Sequence, residues 1–314
     1  SKLSLQYLPV AELSLIILNN LVVYISSAIS PLANKILEIA FQLAVSPEYL
    51  ISKKAIMLIS SILQEVESLE TSFILANISS LKGFYYQSPS LKPEIMDAIA
   101  SAIHTCGEDI QPYVQNISDV IIDGLSSDEM LIVIPSVEAL GKIMAFAPEQ
   151  TQELYQTKME FLLQNSVNEE ADLYLKHACI DALYNIVHAN KDFNSGGQSI
   201  EAFLPFVLTI ALAAIGIKAK DEELYSDTEM SIAERIILAG FFLLKSLLKY
   251  HAQSIKINIA RSLPEVFKTF VNFPPNKDIS IKAIQASVYY LLEFKPGETD
   301  LLARYINILR ESKS

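Results

Sequence analysis

The side chains that most often carry catalysis or bind metal ions are few and scattered in this sequence. Of 314 residues, four are histidines and two are cysteines. His177 and His188 share one predicted helix, where their spacing separates them by about 16 Å at a rise of 1.5 Å per residue. They cannot share a metal ion, and the sequence contains no HExxH, CxxC or glycine-rich phosphate-binding motif. We therefore expect no catalytic activity, no cofactor and no metal.

The two cysteines, Cys106 and Cys179, fall in different helical segments. Free cysteines are among the most buried residue types and usually act as small hydrophobic side chains. We expect both thiols to be buried and inert, and the alternative is a reactive or bridging pair.

A run of acidic side chains is the clearest candidate for an interaction site. Five carboxylates fall close together, and they are Asp221, Glu222, Glu223, Asp227 and Glu229. One interpretation is a solvated loop between two helices, which is what most charge runs form. The other is a contact surface for a basic partner segment, because an excess of one charge speeds association with the opposite charge.

The polar faces of two predicted helices are the second candidate surface. On the helix that follows Pro112, the polar residues at helical spacing are Gln115, Asn116, Asp119 and Asp123. On the equivalent helix one repeat later they are Gln152, Glu153, Gln156 and Glu160. We expect these faces to line the concave side of a superhelix, with which solenoids commonly bind partners.

The composition excludes several classes of protein and favours a helical one. Hydrophobic residues make up 51% of the chain, which argues against disorder, and only 9 residues are glycine, which favours helices over phosphate-binding α/β folds. The net charge of −12 argues against nucleic-acid binding and favours basic protein segments as partners. The apolar run at 203–217 is too short to span a bilayer, and that at 13–29 lacks the features of a signal peptide, so we expect no membrane insertion.

A small residue recurs at a nearly constant interval. An alanine that precedes an aliphatic stretch returns after 43, 41, 43, 57 and 44 residues. The recurring alanines are Ala55, Ala98, Ala139, Ala182, Ala239 and Ala283. The one long interval contains the polar segment 218–229. A period near 43 with two helices in each repeat is typical of HEAT and armadillo proteins, and a small residue lets a neighbouring helix approach closely.

Local signals divide each repeat into two helices. Gly107 is expected to end one helix and Pro112 to begin the next. The pattern Ser-x-x-Glu at 126–129, 166–169 and 226–229 predicts capping boxes at helix starts. The sequence thus predicts one all-α, right-handed α-solenoid over 1–314, with about seven antiparallel HEAT-type helix pairs. The predicted pairs cover residues 12–44, 47–87, 91–125, 128–166, 169–218, 229–273 and 277–311.

Two parts of the sequence resemble a known family. Residues 95–125 resemble HEAT repeats of the importin-β (karyopherin-β) family, in which a first helix ends in glycine plus an acidic pair and Pro-Tyr opens the second helix. Gly107-Glu108-Asp109 and Pro112-Tyr113 occupy those places. Residues 229–293 are similar to the central and C-terminal repeats of the same family. The apolar first pair also indicates a piece of a longer solenoid, or one capped by a partner.

The resemblance implies a nuclear transport receptor of the cytoplasm and nucleus, or nuclear envelope. Such proteins bind Ran·GTP and cargo on the inner face, and they bind Phe-Gly nucleoporins in apolar slots between neighbouring first helices. The family's Ran-binding N-terminal segment is not recognisable here, so cargo and nucleoporins are favoured over Ran as partners. The alternatives are a HEAT scaffold of another complex, such as a phosphatase regulatory or assembly subunit, and an enzyme whose site the sequence does not reveal.

Overall fold

The computed structural model describes residues 7–190, 200–216, 231–259, 263 and 277–294. These residues are largely helical, and none of them lies in a β-strand. The predicted all-α class is therefore confirmed. The chain divides into two compact units, Ser1–Thr151 (unit 1) and Gln152–Ser314 (unit 2).

The described residues of both units form α-helices with the following bounds. In unit 1 they are α1 (Leu8–Ile29), α2 (Ala33–Ala44), α3 (Tyr49–Glu65), α4 (Thr71–Gln87), α5 (Lys92–Cys106), α6 (Val114–Leu125) and α7 (Met130–Phe146). In unit 2 they are α8 (Gln152–Val167), α9 (Leu173–Ala189), α10 (Leu204–Ile215), α11 (Ile232–Tyr250), α12 (Ala252–Ile259) and α13 (Lys277–Phe294).

Within unit 1 the helices form two layers. The first helices of the predicted pairs, α1, α3, α5 and α7, pack side by side in chain order. Each second helix packs most closely on the first helix of the following pair, so that α2 lies against α3, α4 against α5 and α6 against α7. Unit 2 repeats the arrangement, with α8 against α9 and α10 against α11. The closest antiparallel pairs are thus offset by one helix from the predicted segmentation.

The recurring small residues lie where helices meet. All six recurring alanines are at most 4% exposed. A Cβ on Gly124 of α6 would lie 2.1 Å from Ser136 Oγ of α7, and one on Gly240 of α11 would lie 2.9 Å from the Ala214 Cβ of α10. Each contact joins a second helix to the first helix that follows, which is the observed packing.

The ends of the helices agree only partly with the predicted signals. Gly107 ends α5 as expected, with the positive φ of 53° that glycine tolerates best. The capping boxes predicted at Ser126 and Ser166 are wrong, because both hydroxyls donate to a carbonyl four residues earlier in the preceding helical turn. The capping box that the structure shows joins Ser231 and Glu234 at the start of α11. The box predicted at Ser226 lies outside the described residues.

The N-terminal helices of unit 1 carry many exposed apolar side chains, among them Leu13, Ile17 and Tyr24 of α1. Of the residues that the structure describes, one helical stretch, Leu8–Ala44, is long and apolar enough to cross a membrane. Core helices and signal sequences meet the same criteria, so the expected lack of membrane insertion stays a prediction.

Candidate functional site

The predicted polar face of α6 forms a hydrogen-bonded surface with α4, which we call the α4–α6 face. Asn116 Nδ2 donates to Ser79 Oγ over 2.6 Å. Lys82 of α4 reaches across to α6, where its Nζ lies 2.8 Å from Asp119 Oδ2 and 2.7 Å from the Asn116 carbonyl oxygen. Gln115 is exposed beside them. The structure therefore pairs Asn116 and Asp119 with residues of the neighbouring repeat.

Asp123 is the centre of a second cluster on the α4–α6 face. Lys92 Nζ lies 3.0 Å from its Oδ2, and the buried Tyr85 hydroxyl donates to the same oxygen over 2.9 Å. Lys92 Nζ also lies 4.4 Å from the centre of the Tyr85 ring. The hydrogen bond from Lys92, followed by that from Tyr85, lowers the pKa of the Asp123 carboxyl. Burial, together with this carboxylate, raises the pKa of the Tyr85 phenol.

These contacts change the electrostatic character of the predicted surface. The two carboxylates of α6 are each paired with a lysine, so the face presents a neutralised, hydrogen-bonding surface flanked by Tyr86 rather than a negative stripe. Sequence reasoning did not identify Lys82, Lys92, Tyr85 or Tyr86. Each of these residues precedes its partner on α6 by 31 to 38 residues, which is somewhat less than one repeat.

The remaining predicted site residues belong to unit 2. Gln156 and Glu160 lie on α8 in unit 2, where both are exposed and Glu160 Oε1 accepts a hydrogen bond from Gln164 Nε2 over 2.8 Å. Gln152 and Glu153 are exposed on the same helix. The five acidic residues at 221–229 lie outside the described residues, so both interpretations of them stay predictions.

A groove lies between the first helices α3, α5 and α7 of unit 1. Its volume is about 400 Å³. Its apolar walls are Met57 of α3, Pro93 of α5, and Leu131, Ile134 and Pro135 of α7. Leu131 is 72% exposed, so a large apolar side chain stands at the mouth in contact with water. We call this cavity the α3–α5–α7 groove.

Carboxylates line one side of the α3–α5–α7 groove. Glu94 forms an ion pair of 2.7 Å with Lys53, and Asp97 accepts a hydrogen bond from the buried Ser60 hydroxyl. Glu138 of α7 is the third carboxylate in the lining. The groove thus combines apolar walls with polar groups that can form hydrogen bonds to the backbone of a bound peptide.

Burial shifts the pKa of the two cysteines and of two of the histidines. Cys106 and Cys179 are buried and free, as predicted, and burial raises the pKa of each thiol to about 12. Burial also lowers the pKa of His177 and His251, which favours their neutral forms. Among the described residues, no group of three or more His, Cys, Asp or Glu side chains could hold a metal ion.

Comparison with known proteins gives a match at the level of structure. No protein-family model matches the sequence, and no curated protein matches it. A crystal structure of importin β grown in ammonium sulfate aligns with a TM-score of 0.70 and 15% identity over 96% of this chain. A second importin β crystal form, grown in polyethylene glycol, gives 0.69 and 15% over 96%. The structure of Kap121p bound to Pho4p gives 0.60 and 13% over 97%.

The chain has the HEAT-repeat solenoid fold of importin-β-like proteins, and the resemblance found at residues 95–125 is confirmed as a likeness of fold. The chain spans 37% and 38% of the two importin β chains and 35% of the Kap121p chain. A match at 13–15% identity establishes the fold. Function has to be argued from the sites.

Proposed function

We propose that this chain is a protein-binding part of a karyopherin-β-type transport receptor that works between cytoplasm and nucleus without catalysis. The fold likeness to importin β and Kap121p over nearly the whole chain supports this proposal. In the similar crystal structure, Kap121p is bound to Pho4p. Protein cargo and Phe-Gly nucleoporins are therefore the proposed partners here, and Ran remains the least supported one.

The α3–α5–α7 groove is the observation that carries the proposal. It lies between neighbouring first helices, where the family resemblance implies slots for Phe-Gly repeats. Its volume of about 400 Å³ exceeds that of a phenylalanine side chain, which leaves room for the flanking glycine backbone. Met57, Leu131 and Ile134 would contact the ring, and methionine sulfur interacts favourably with aromatic rings. The carboxylates of Glu94 and Asp97 are placed to accept backbone N–H donors.

We assign cargo binding to the α4–α6 face. Tyr86 is 48% exposed, and Asp119 and Asp123 are about half exposed at 53% and 46% of their side chains. A basic cargo segment would displace Lys82 and Lys92 and form ion pairs with these carboxylates. Binding should therefore be weak, fast and sensitive to salt, because exposed ion pairs contribute little net free energy.

A peptide-binding measurement tests the nucleoporin role. A fluorescein-labelled peptide with two Phe-Gly dipeptides should bind the protein in fluorescence anisotropy, and the matched Ser-Gly peptide should not. Leu131→Ser should weaken binding several-fold, and Ser61→Trp, which fills the groove, should abolish it. Leu50→Ser is the matched control, because Leu50 is 50% exposed on α3 and does not line the groove.

The competing scaffold role predicts a different result. If the chain is a phosphatase assembly subunit, it should bind a phosphatase catalytic subunit at submicromolar concentration and show no preference for Phe-Gly over Ser-Gly peptides. That pair of results would overturn the transport proposal.

A further inference from the structure

Unit 2 contains a cluster of lysines among aromatic rings, which we call the lysine–aromatic pocket. Lys245 and Lys249 of α11 line its cavity, and Lys282 of α13 lies beside it against the Phe242 ring. Tyr184 of α9 and Phe242 of α11 form its aromatic walls, with ring centres 5.5 Å apart. The cluster is positively charged, whereas the chain as a whole has a net charge of −12.

Contacts with rings and with an amide fix the three ammonium groups in place. Lys282 Nζ lies 4.4 Å from the centre of the Phe242 ring. Lys249 Nζ lies 4.7 Å from the Tyr250 ring and 5.9 Å from the Tyr289 ring. Lys245 Nζ donates to Gln285 Oε1 over 3.2 Å. Each of these printed contacts is made with an aromatic ring or an amide, and a cation over a ring is attracted by its π-electrons.

The local charge is not balanced by the side chains that line the cavity. The cavity holds about 50 Å³, and its lining from α9 and α11 includes two lysines and no carboxylate among the residues that the structure describes. The nearest acidic residues along the packed helices are Asp181, one turn before Tyr184, and Asp278, one turn before Lys282. Burial, together with the charges of Lys282 and Lys249, lowers the pKa of Lys245. An anion in the cavity would relieve this repulsion.

We propose that the lysine–aromatic pocket binds a carboxylate from an acidic segment of a partner protein. The cavity has room for one carboxylate, with the Tyr184 and Tyr250 rings able to contact the methylene groups of a glutamate. Further carboxylates of the same segment would then meet Lys249 and Lys282 at the mouth. This site is separate from the α3–α5–α7 groove and goes beyond the proposed transport function, on which it does not depend.

The test uses the whole chain and a fluorescein-labelled hexaglutamate peptide, with hexaglutamine as the uncharged peptide control. The double variant Lys245→Gln/Lys282→Gln should bind hexaglutamate at least tenfold more weakly than the unmodified protein. Lys245→Arg/Lys282→Arg should retain most of the binding, because the charges remain. The matched control is Lys35→Gln/Lys158→Gln, which removes two lysines from α2 and α8 outside the pocket and should change the affinity less than twofold.

A second readout follows Lys245 itself. Its lowered pKa should make it acylate faster than the other lysines in a brief, substoichiometric treatment with acetic anhydride, and hexaglutamate should protect it at least fivefold. Circular dichroism and thermal unfolding of each variant separate loss of binding from loss of fold.

Several outcomes would overturn the proposal. These are no hexaglutamate binding at 1 mM, equal binding of hexaglutamine, and equal weakening by the Lys35/Lys158 control. If inorganic phosphate displaces hexaglutamate at a concentration at least tenfold lower than free glutamate needs, the pocket would be assigned to phosphate instead. Phe-Gly peptide binding, measured in parallel, reports on the transport proposal separately.

Discussion

Replacement of Gly124 by alanine tests the close packing of α6 on α7. The added Cβ would lie 2.1 Å from Ser136 Oγ and 3.1 Å from Ser136 Cβ, which is closer than van der Waals contact. Ser136 cannot easily move, because it is fully buried and its hydroxyl donates to the Ile132 carbonyl over 2.6 Å. Overpacking of a well-packed core costs about 1–3 kcal/mol. The gain in helix propensity from glycine to alanine, about 1 kcal/mol, offsets part of that cost.

Gly83 of α4 provides the matched control. A Cβ at this position would meet only Gln87 Nε2, at 4.0 Å, so Gly83→Ala keeps the gain in helix propensity without a clash. We expect Gly83→Ala to stabilise unit 1 by about 0.5–1 kcal/mol, and Gly124→Ala to destabilise it by about 1 kcal/mol. Urea unfolding followed by circular dichroism measures the difference between the two variants.

The same measurement can refute the packing. If Gly124→Ala is as stable as Gly83→Ala, α6 and α7 do not approach each other as the structure shows. The double variant Gly124→Ala/Ser136→Ala should recover part of the lost free energy of unfolding, because the nearest clashing atom is removed. Recovery smaller than the error would mean that the loss arises elsewhere.

Three further predictions concern single groups. Asp123→Asn should remove a stabilisation of roughly 0.5 kcal/mol that the native protein has above the unfolded carboxyl pKa and loses as the pH falls through the lowered native value. The unfolding curves should therefore differ at pH 7 and converge once the pH lies below that native value. Cys106 and Cys179 should not react with Ellman's reagent at pH 8 in the folded protein and should react at once in guanidinium chloride. Ser231→Ala should destabilise α11 by about 1 kcal/mol through loss of the capping box, measured by hydrogen exchange of the first turn, and an unchanged exchange rate would contradict it.

The sequence predicted the helices well because their signals are local. Residues at helical spacing and the Gly107 terminator each depend on residues within one or two turns. Capping boxes were less well predicted, because the Ser-x-x-Glu pattern also occurs where a helix ends. There the serine hydroxyl, as at Ser126, donates to a carbonyl of the preceding helical turn.

Packing and site geometry depend on residues about one repeat apart, which local patterns do not encode. The pattern shows that α6 has an apolar face, but it does not show whether α5 or α7 covers that face. Likewise, Asp119 and Asp123 are recognisable as a polar face, whereas their neutralisation by Lys82 and Lys92 follows only from the alignment of successive helices.

Photo-crosslinking tests the central claim that the α3–α5–α7 groove binds phenylalanine side chains of Phe-Gly segments. A Phe-Gly peptide carrying p-benzoylphenylalanine in place of one phenylalanine would be irradiated with the protein, and the attachment sites mapped by mass spectrometry. We predict attachment at Met57, Leu131 or Ile134, which unlabelled Phe-Gly peptide suppresses and Ser-Gly peptide does not. Attachment confined to residues outside the groove, or no attachment that Phe-Gly peptide suppresses, would contradict the account.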